Sequence, residues 1–313
     1  MAIFTITGAT GSVGQAIVNQ LLKENHSVRV LSTREDLSME GVEVYAWNTE
    51  QGTIDTASLK GADHLIHLAG ATVSKRWTPK YKQAIMDSRV QGTQLLIDTL
   101  QKVKNGPSSV VSASAIGIYG SDFNNELTET SPAADDFLAS VTRTWESYTQ
   151  KFESSSCRSV QLRVGIVLDQ GAGVLGQLEP LAKWGIASPL GSGKQWTSWI
   201  HVEDMARMFL FAATQPIPSG PYNAVGPSPL TNKAFTKELC RALHRPMVFP
   251  TVPSFVLKLV LGEMATLALM SQKVSPTKIV DAGFTFQYSS AAQALQQIYG
   301  KQKNPHQKAG VGY

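Results

Sequence analysis

Cysteine is nearly missing from this chain of 313 residues: Cys157 and Cys240 are the only two, and they lie far apart. That excludes a disulfide framework and the closely spaced ligands of a structural zinc site, and no metal centre is expected. Two inert thiols in a reducing compartment, read as cytoplasmic, are the expectation. An excess of either charge is missing too, since 28 Lys plus Arg face 24 Asp plus Glu, for a net +4. The one basic cluster without acids is the tail, residues 300–313, so the charge balance makes no case for a nucleic-acid partner. Long apolar runs are also absent. The most apolar stretch, residues 252–270, is interrupted by Lys258 and Glu263, and its uncharged runs fall far short of the roughly 20 residues that span a bilayer. It reads as an amphipathic helix packed on the protein, with no membrane partner. The first residues, MAIFTITGATG, enter a strand and a glycine turn without a basic leader and apolar core, so no export signal is expected.

What is present is an alternation. Ile3 to Thr7 is a β-branched and aromatic run, followed by glycines and then by Val13, Ile17, Leu21 and Leu22 at helical spacing. Further strands are predicted over residues 28–31, 42–47, 65–68, 110–113 and 160–168. Helices are predicted over 80–104, stopped by Asn105-Gly106-Pro107, and over 136–152. Strands alternating with helices of this length imply βαβ units and a parallel sheet. From Gly171 the pattern breaks into glycines, prolines and short apolar runs. The expected architecture is therefore α/β: a Rossmann-type doubly wound parallel sheet over residues 1–169, then a smaller, mainly helical substrate lobe over 170–300 that can share sheet elements. Residues 301–313 form a flexible tail in this reading.

The segment TGATGSVG, Thr7 to Gly14, sets Gly8, Gly11 and Gly14 between the first strand and the first helix. Glycines at this spacing let the chain turn tightly, let backbone approach a diphosphate and let the helix pack closely, while the helix N-terminus offers N–H groups and a positive dipole end. Strand before and helix after is the context that gives the motif meaning. Dinucleotide binding by Thr7, Gly8, Thr10, Gly11, Ser12, Val13 and Gly14 is expected. Strand two ends in Ser32-Thr33-Arg34, where an NAD-binding fold typically carries an acid for the ribose hydroxyls. Hydroxyls and a guanidinium suit a ribose 2′-phosphate, which selects NADP. Glu35 and Asp36 follow at once and keep NAD open.

With HLAG at residues 67–70, SASAIGIYG at 112–120 and LRVGIVL at 162–168 added to the glycine turn, the chain resembles the extended short-chain dehydrogenase/reductase superfamily. Its segments at 75–93, 196–206 and 262–288 resemble an atypical, epimerase-like family labelled sugar-nucleotide epimerase, the last segment resembling that family's C-terminal domain of unknown function. The resemblance implies that Leu68, Ala69 and Gly70 line the nicotinamide-side ribose. It also implies that Ser112 and Ser114 sit near the nicotinamide and that a substrate cleft opens between sheet and C-terminal lobe.

The resemblance also implies a Tyr whose phenol transfers a proton, with a Lys one helical turn on. Aligning Glu146 with the superfamily's glutamate puts those positions on Leu138 and Thr142, and neither can do the chemistry. Tyr-x-x-x-Lys occurs once, at Tyr299 and Lys303, outside the Rossmann unit, and is read as chance. Ser114 and Tyr119 are then the candidate catalytic residues, Tyr119 having a packing role as its alternative. Asp135 and Asp136 are read as helix caps. Lys75, Arg76 and Trp77 follow the HLAG turn, and a basic pair beside an aromatic suits a substrate phosphate and a stacked base or sugar; solvated helix-start charges are the alternative. Trp199 and His201, near Trp196, are candidates for the other wall of the cleft, against roles in core and structural ties. The expected function is an NADP(H)-dependent oxidoreductase or epimerase-like enzyme acting on a nucleotide-sugar or other polar phosphorylated small molecule, as monomer or homodimer. A non-catalytic dinucleotide sensor is the rival.

Overall fold

A computed structural model describes residues 1–34 and 36–300, so the tail and Glu35 lie outside the described residues. The strands are β1 (Ile3–Thr7), β2 (Ser27–Ser32), β3 (Glu43–Asn48), β4 (Thr53–Ile54), β5 (His64–His67), β6 (Ser109–Ala115) and β7 (Glu126–Leu127), then β8 (Arg158–Val164), β9 (Ile166–Leu168), β10 (Trp196–Thr197), β11 (Trp199–His201), β12 (Gly220–Ala224), β13 (Leu230–Thr231) and β14 (Lys273–Val274). The α-helices are α1 (Ser12–Lys23), α2 (Pro79–Leu100), α3 (Phe137–Thr149), α4 (Gly173–Lys183), α5 (Val202–Thr214), α6 (Asn232–Ala242), α7 (Ser254–Leu261), α8 (Ala265–Leu269), α9 (Thr277–Asp281) and α10 (Ala291–Gly300).

Eight strands form one sheet in the order β12-β8-β6-β5-β1-β2-β3-β4, and neighbours run parallel except β3 with β4. From β1 the chain builds outward through β2 and β3, then returns to the other side of β1 with β5. The order reverses there, and in open α/β sheets a ligand crevice lies outside the carboxyl ends of the strands at such a point. Alternating residues load both faces of the sheet. Val28, Val30, Ile66 and Val111 join a core with α1 and α5, while Leu31, Leu65 and Val110 join one with Leu96 and Ile97 of α2. Burial on both faces is why apolar residues stand side by side in these strands, as at Val30-Leu31, Leu65-Ile66 and Val110-Val111. Each fully buried large side chain contributes about 1.5–3 kcal/mol of transfer free energy.

β12 pairs with β8 and α5 packs on α1, so residues beyond 169 complete the sheet and its first face. A second core joins α4, α6 and α10. Three two-stranded ribbons, β9 with β11, β10 with β13 and β7 with β14, stand beside the main sheet. Two or three residues per strand are too few to show a period in sequence, so a mainly helical lobe was the expectation there. The strand expected over 160–168 divides at Gly165. Its N–H bonds Ala224, the next N–H bonds Ser198, and a Cβ at 165 would overlap the Ser198 carbonyl and Val225. The single helix expected over 252–270 is likewise two, broken at Gly262 with φ +61°. It is not packed along its length, since Phe255, Leu259 and Val260 are exposed. Among the described residues no helix is long and apolar enough to cross a membrane, and none of the His, Cys, Asp and Glu side chains gather into a group of three or more that could hold a metal.

Candidate functional site

At the carboxyl end of β1 the chain turns through Gly8, whose φ of +74° is a left-handed conformation that glycine adopts without a steric penalty. Gly11 N–H donates to the Gly8 carbonyl at 3.1 Å, and α1 then starts with Gly11 at its N-cap and no side chain bonding its first amides. A Cβ on Gly14 would overlap the Gly8 carbonyl and Ala9 backbone, so this glycine lets α1 pack directly on the turn. At Gly11 a Cβ would meet only the Gly8 oxygen, at 3.5 Å, and otherwise open space. The turn separates two hollows that share Gly8. One, of about 260 Å³, is lined by Gly11, Ser12, Val13, Gly14 and Leu68, with Val167, Asp169 and Ala172 on the opposite wall. The other, of about 240 Å³, is lined by Ala9, Thr10, Ser32, Thr33, Arg34, Trp47, Ala69, Gly70 and Ser88. Two hollows that meet at Gly8, one of them against the uncapped N-terminus of α1, fit a two-ended ligand with an anionic bridge. The Ser12 hydroxyl donates to the Asp169 carboxylate at this junction.

Thr7 lies beneath the turn, fully buried, with its side chain committed to the fold. Its oxygen accepts the N–H groups of Leu68 and Ala69, both at 3.1 Å, so its own O–H donates to His67 Nδ1 at 2.7 Å. The proton of His67 is thereby fixed on Nε2, which donates to Thr93 at 3.1 Å, and Thr93 in turn donates to the Arg89 carbonyl at 2.6 Å. This chain anchors the HLAG backbone to β1. Burial, and then the Arg89 charge, lower the His67 pKa to about 4. The folded state therefore takes up the proton later than the unfolded chain as pH falls. The stabilisation is complete above the unfolded value near 6.5 and is lost as pH drops through about 4. Between about pH 7.5 and pH 5, urea unfolding should show wild type losing about 2 kcal/mol more than His67→Gln. Equal losses would count against the neutral, locked imidazole.

The two candidate catalytic residues do not face either hollow. Ser114, 3% exposed, donates to Glu146 at 2.5 Å, and Glu146 receives Arg163 through both carboxylate oxygens at 2.8 and 2.9 Å. Arg163 Nη1 donates to the Tyr119 oxygen at 2.8 Å, and the Tyr119 O–H, 5% exposed, donates to Asn223 at 2.6 Å. Burial pushes the Tyr119 pKa up to about 12 despite the opposing charge of Arg163. Burial also works against the charged form of Arg163, but the bonds and charge of Glu146 outweigh it and its pKa is raised. Ser114 and Tyr119 are thus members of a closed network spanning α3, β6, β8 and β12. Ser112 is fully buried as well, its hydroxyl directed at the Val160 carbonyl at 3.5 Å. Leu138 and Thr142 are buried on α3, and Thr142 bonds back to the Leu138 carbonyl. Asp136 caps α3 by accepting Ala139 N–H at 2.9 Å.

Trp199 and His201 also turn out to be interior. Trp199 is fully buried in the second core and its indole donates to the Ser228 carbonyl at 2.8 Å. His201, 1% exposed, caps α5 by accepting Glu203 N–H on Nδ1, donates through Nε2 to Gln297 and lies on the Tyr288 ring. Burial lowers its pKa. Neither is placed as a cleft wall, because tertiary packing of α10 and residue 288 closes over them. Lys75 and Arg76 are exposed, whereas Trp77 is half-buried, its indole donating to Val73 and its ring edge-on to Phe137 at 5.3 Å. Lys82 lies over both rings and pairs with Glu263. Asp169, Val167 and Ala172 were missed by sequence reading. Their signal was the small-residue turn Gly171-Ala172-Gly173 directly after a strand, the same device as at Gly8.

An open, mostly parallel sheet with a glycine turn and an uncapped helix at its reversal point defines a Rossmann-type nucleotide-binding protein. Residues 4–154 match the NAD dependent epimerase/dehydratase family and residues 252–298 a domain of unknown function, DUF1731. An epimerase family protein of Staphylococcus aureus (strain MRSA252) is 37% identical over 302 residues, 96% of this chain and all of the relative; one of Staphylococcus haemolyticus is 38% identical, over 95% and 99%. The chain belongs to the epimerase family. Among solved structures it is similar to human epimerase family protein SDR39U1 with NADPH, at TM-score 0.86 and 28% identity, covering 95% of this chain and 99% of that one. It is also similar to the nucleoside-diphosphate sugar epimerase of Corynebacterium glutamicum, at TM-score 0.76 and 30% identity, covering 96% of this chain and 58% of that one.

Proposed function

We propose that this chain binds NADP(H) and acts as an oxidoreductase or epimerase-like enzyme on a nucleotide-sugar or other polar phosphorylated small molecule. The observation that carries the reading is the pair of hollows that meet at Gly8, one against the uncapped N-terminus of α1 and the other, at the end of β2, with Arg34 and Thr33 exposed at its rim. When bound, the dinucleotide supplies the hydride chemistry. The chain's own residues do the holding. Amides at Ser12 to Gly14 face the diphosphate, Gly8 and Gly70 let backbone come close, and Arg34, whose N–H bonds Ser32 Oγ at 2.9 Å, offers its fork to a 2′-phosphate. NAD remains the alternative cofactor. Lys75 and Arg76 are the substrate-side cations of this reading, outside the Trp77 and Phe137 rings. Proton transfer is not given to Ser114 or Tyr119, since both are enclosed in the Arg163 network.

A second reading, a dinucleotide sensor without turnover, is supported by the alignment of Glu146 with the superfamily's glutamate, which puts the Tyr and Lys positions on the buried Leu138 and Thr142. Incubation with NADPH and a panel of carbonyl compounds and nucleotide-sugars separates the two, turnover supporting the enzyme and tight binding without turnover the sensor. Arg34→Ala should lower the preference for NADPH over NADH about tenfold or more, as expected when a charge-assisted contact of about 1.5–3 kcal/mol is lost. An unchanged preference would remove Arg34 from the cofactor site.

A further inference from the structure

Arg163 and Arg158 spread their bonds over several donors, whereas Nε of Arg29 is buried without a hydrogen-bond partner. Arg163 gives Nε and Nη2 to Glu146 and Nη1 to Tyr119 and a carbonyl, and Arg158 gives Nη1 and Nη2 to three carbonyls at and just beyond the end of α5. Arg89 of α2 differs. Both its bonds use Nη1, to the Ile85 carbonyl at 3.0 Å and the Ala71 carbonyl at 3.1 Å. Among the described residues, Nε–H and the Nη2 donors meet no protein acceptor, and no carboxylate forms an ion pair with this guanidinium. Half-buried, it is stacked on the Trp145 ring at 4.9 Å, and the buried Trp145 N–H also lacks an acceptor. Partial burial lowers its pKa to about 10, so it stays charged at neutral pH, a half-buried cation without a carboxylate partner among the described residues.

Its position gives it a ligand. A Cβ on Gly70 would stand 3.5 Å from Cγ, Cζ and Nη1 of Arg89, and Gly70 and neighbouring Ser88 line the 240 Å³ hollow. Ser88 accepts Ala71 N–H at 2.9 Å, so loop and guanidinium are held as one unit against the hollow. Trp145 of α3, over whose ring the guanidinium lies, carries no charge of its own. We infer that Arg89 is a binding residue for the dinucleotide, its unfilled edge taking ribose and diphosphate oxygens that NADH and NADPH share. The assignment rests on the dinucleotide reading above, and Arg34 provides its internal contrast.

Calorimetric titration of wild type, Arg89→Gln and Arg89→Lys with NADPH and with NADH tests it. Arg89→Lys keeps the aliphatic cover on Trp145 and the charge, and so remains informative if the glutamine variant folds poorly. Arg89→Gln should weaken both dinucleotides at least tenfold with their ratio unchanged, and Arg89→Lys should weaken both by less. Wild-type affinity in both folded variants overturns the inference. So does weakening confined to NADPH, or weakening of a nucleotide-sugar alone. Failure of wild type to bind either dinucleotide would instead remove the underlying reading, and this assignment with it.

Discussion

Gly11→Val is expected to raise the Kd for the dinucleotide at least a hundredfold while leaving the protein folded. The backbone at Gly11 is ordinary extended chain, φ −77° and ψ 165°, which a β-branched residue adopts readily. A Cβ there has no neighbour nearer than 3.5 Å. The added methyls therefore occupy the space over the first amides of α1 and cost the fold little, while a diphosphate can no longer reach those N–H groups. A hundredfold loss corresponds to about 2.7 kcal/mol. Gly14→Ala is the contrasting control, because its Cβ would overlap the Gly8 carbonyl and Ala9 backbone, so it should lower stability first and binding only in consequence. Thermal unfolding beside calorimetry separates the two. A Gly11→Val protein that binds like wild type would remove the turn from the site.

The second large effect is on stability. Arg163→Met should destabilise the protein by about 3–5 kcal/mol, because it leaves Glu146 as a buried carboxylate without its partner. Glu146 would keep only the Ser114 hydroxyl, and Tyr119 would lose the donor to its oxygen. The double variant Glu146→Leu with Arg163→Met should recover much of that loss, since both charges leave together. Denaturant midpoints check this, and an unchanged midpoint in Arg163→Met would contradict the network. Activity losses in Tyr119 or Ser114 variants are accordingly to be read against their unfolding curves.

The contrast between the glycine turn and this network shows what sequence reveals. The turn is local: Gly8, Gly11 and Gly14 lie within one strand, turn and helix, and the short runs at 3–7, 65–68 and 110–113 are marked by burial on both faces. Ser114, Glu146 and Arg163 meet only because β6, α3 and β8 pack side by side, so a serine following a strand looked the same whether it faced ligand or interior. His201 misled for the same reason, its burial coming from Tyr288 and Gln297, close to a hundred positions on. The far wall of the 260 Å³ hollow, Val167 to Ala172, depended on where Gly165 moves the chain from β8 to β9. Arg89 sat unnoticed in a long helix, since its place over Trp145 and beside Gly70 depends on how α2 packs against α3 and the turn after β5.

The most direct test is titration of the purified wild-type protein with NADPH in a calorimeter. Saturable one-to-one binding in the micromolar range, weaker for NADH, is the predicted result. No detectable heat or competition with either reduced or oxidised pyridine nucleotide at millimolar concentration would contradict the account.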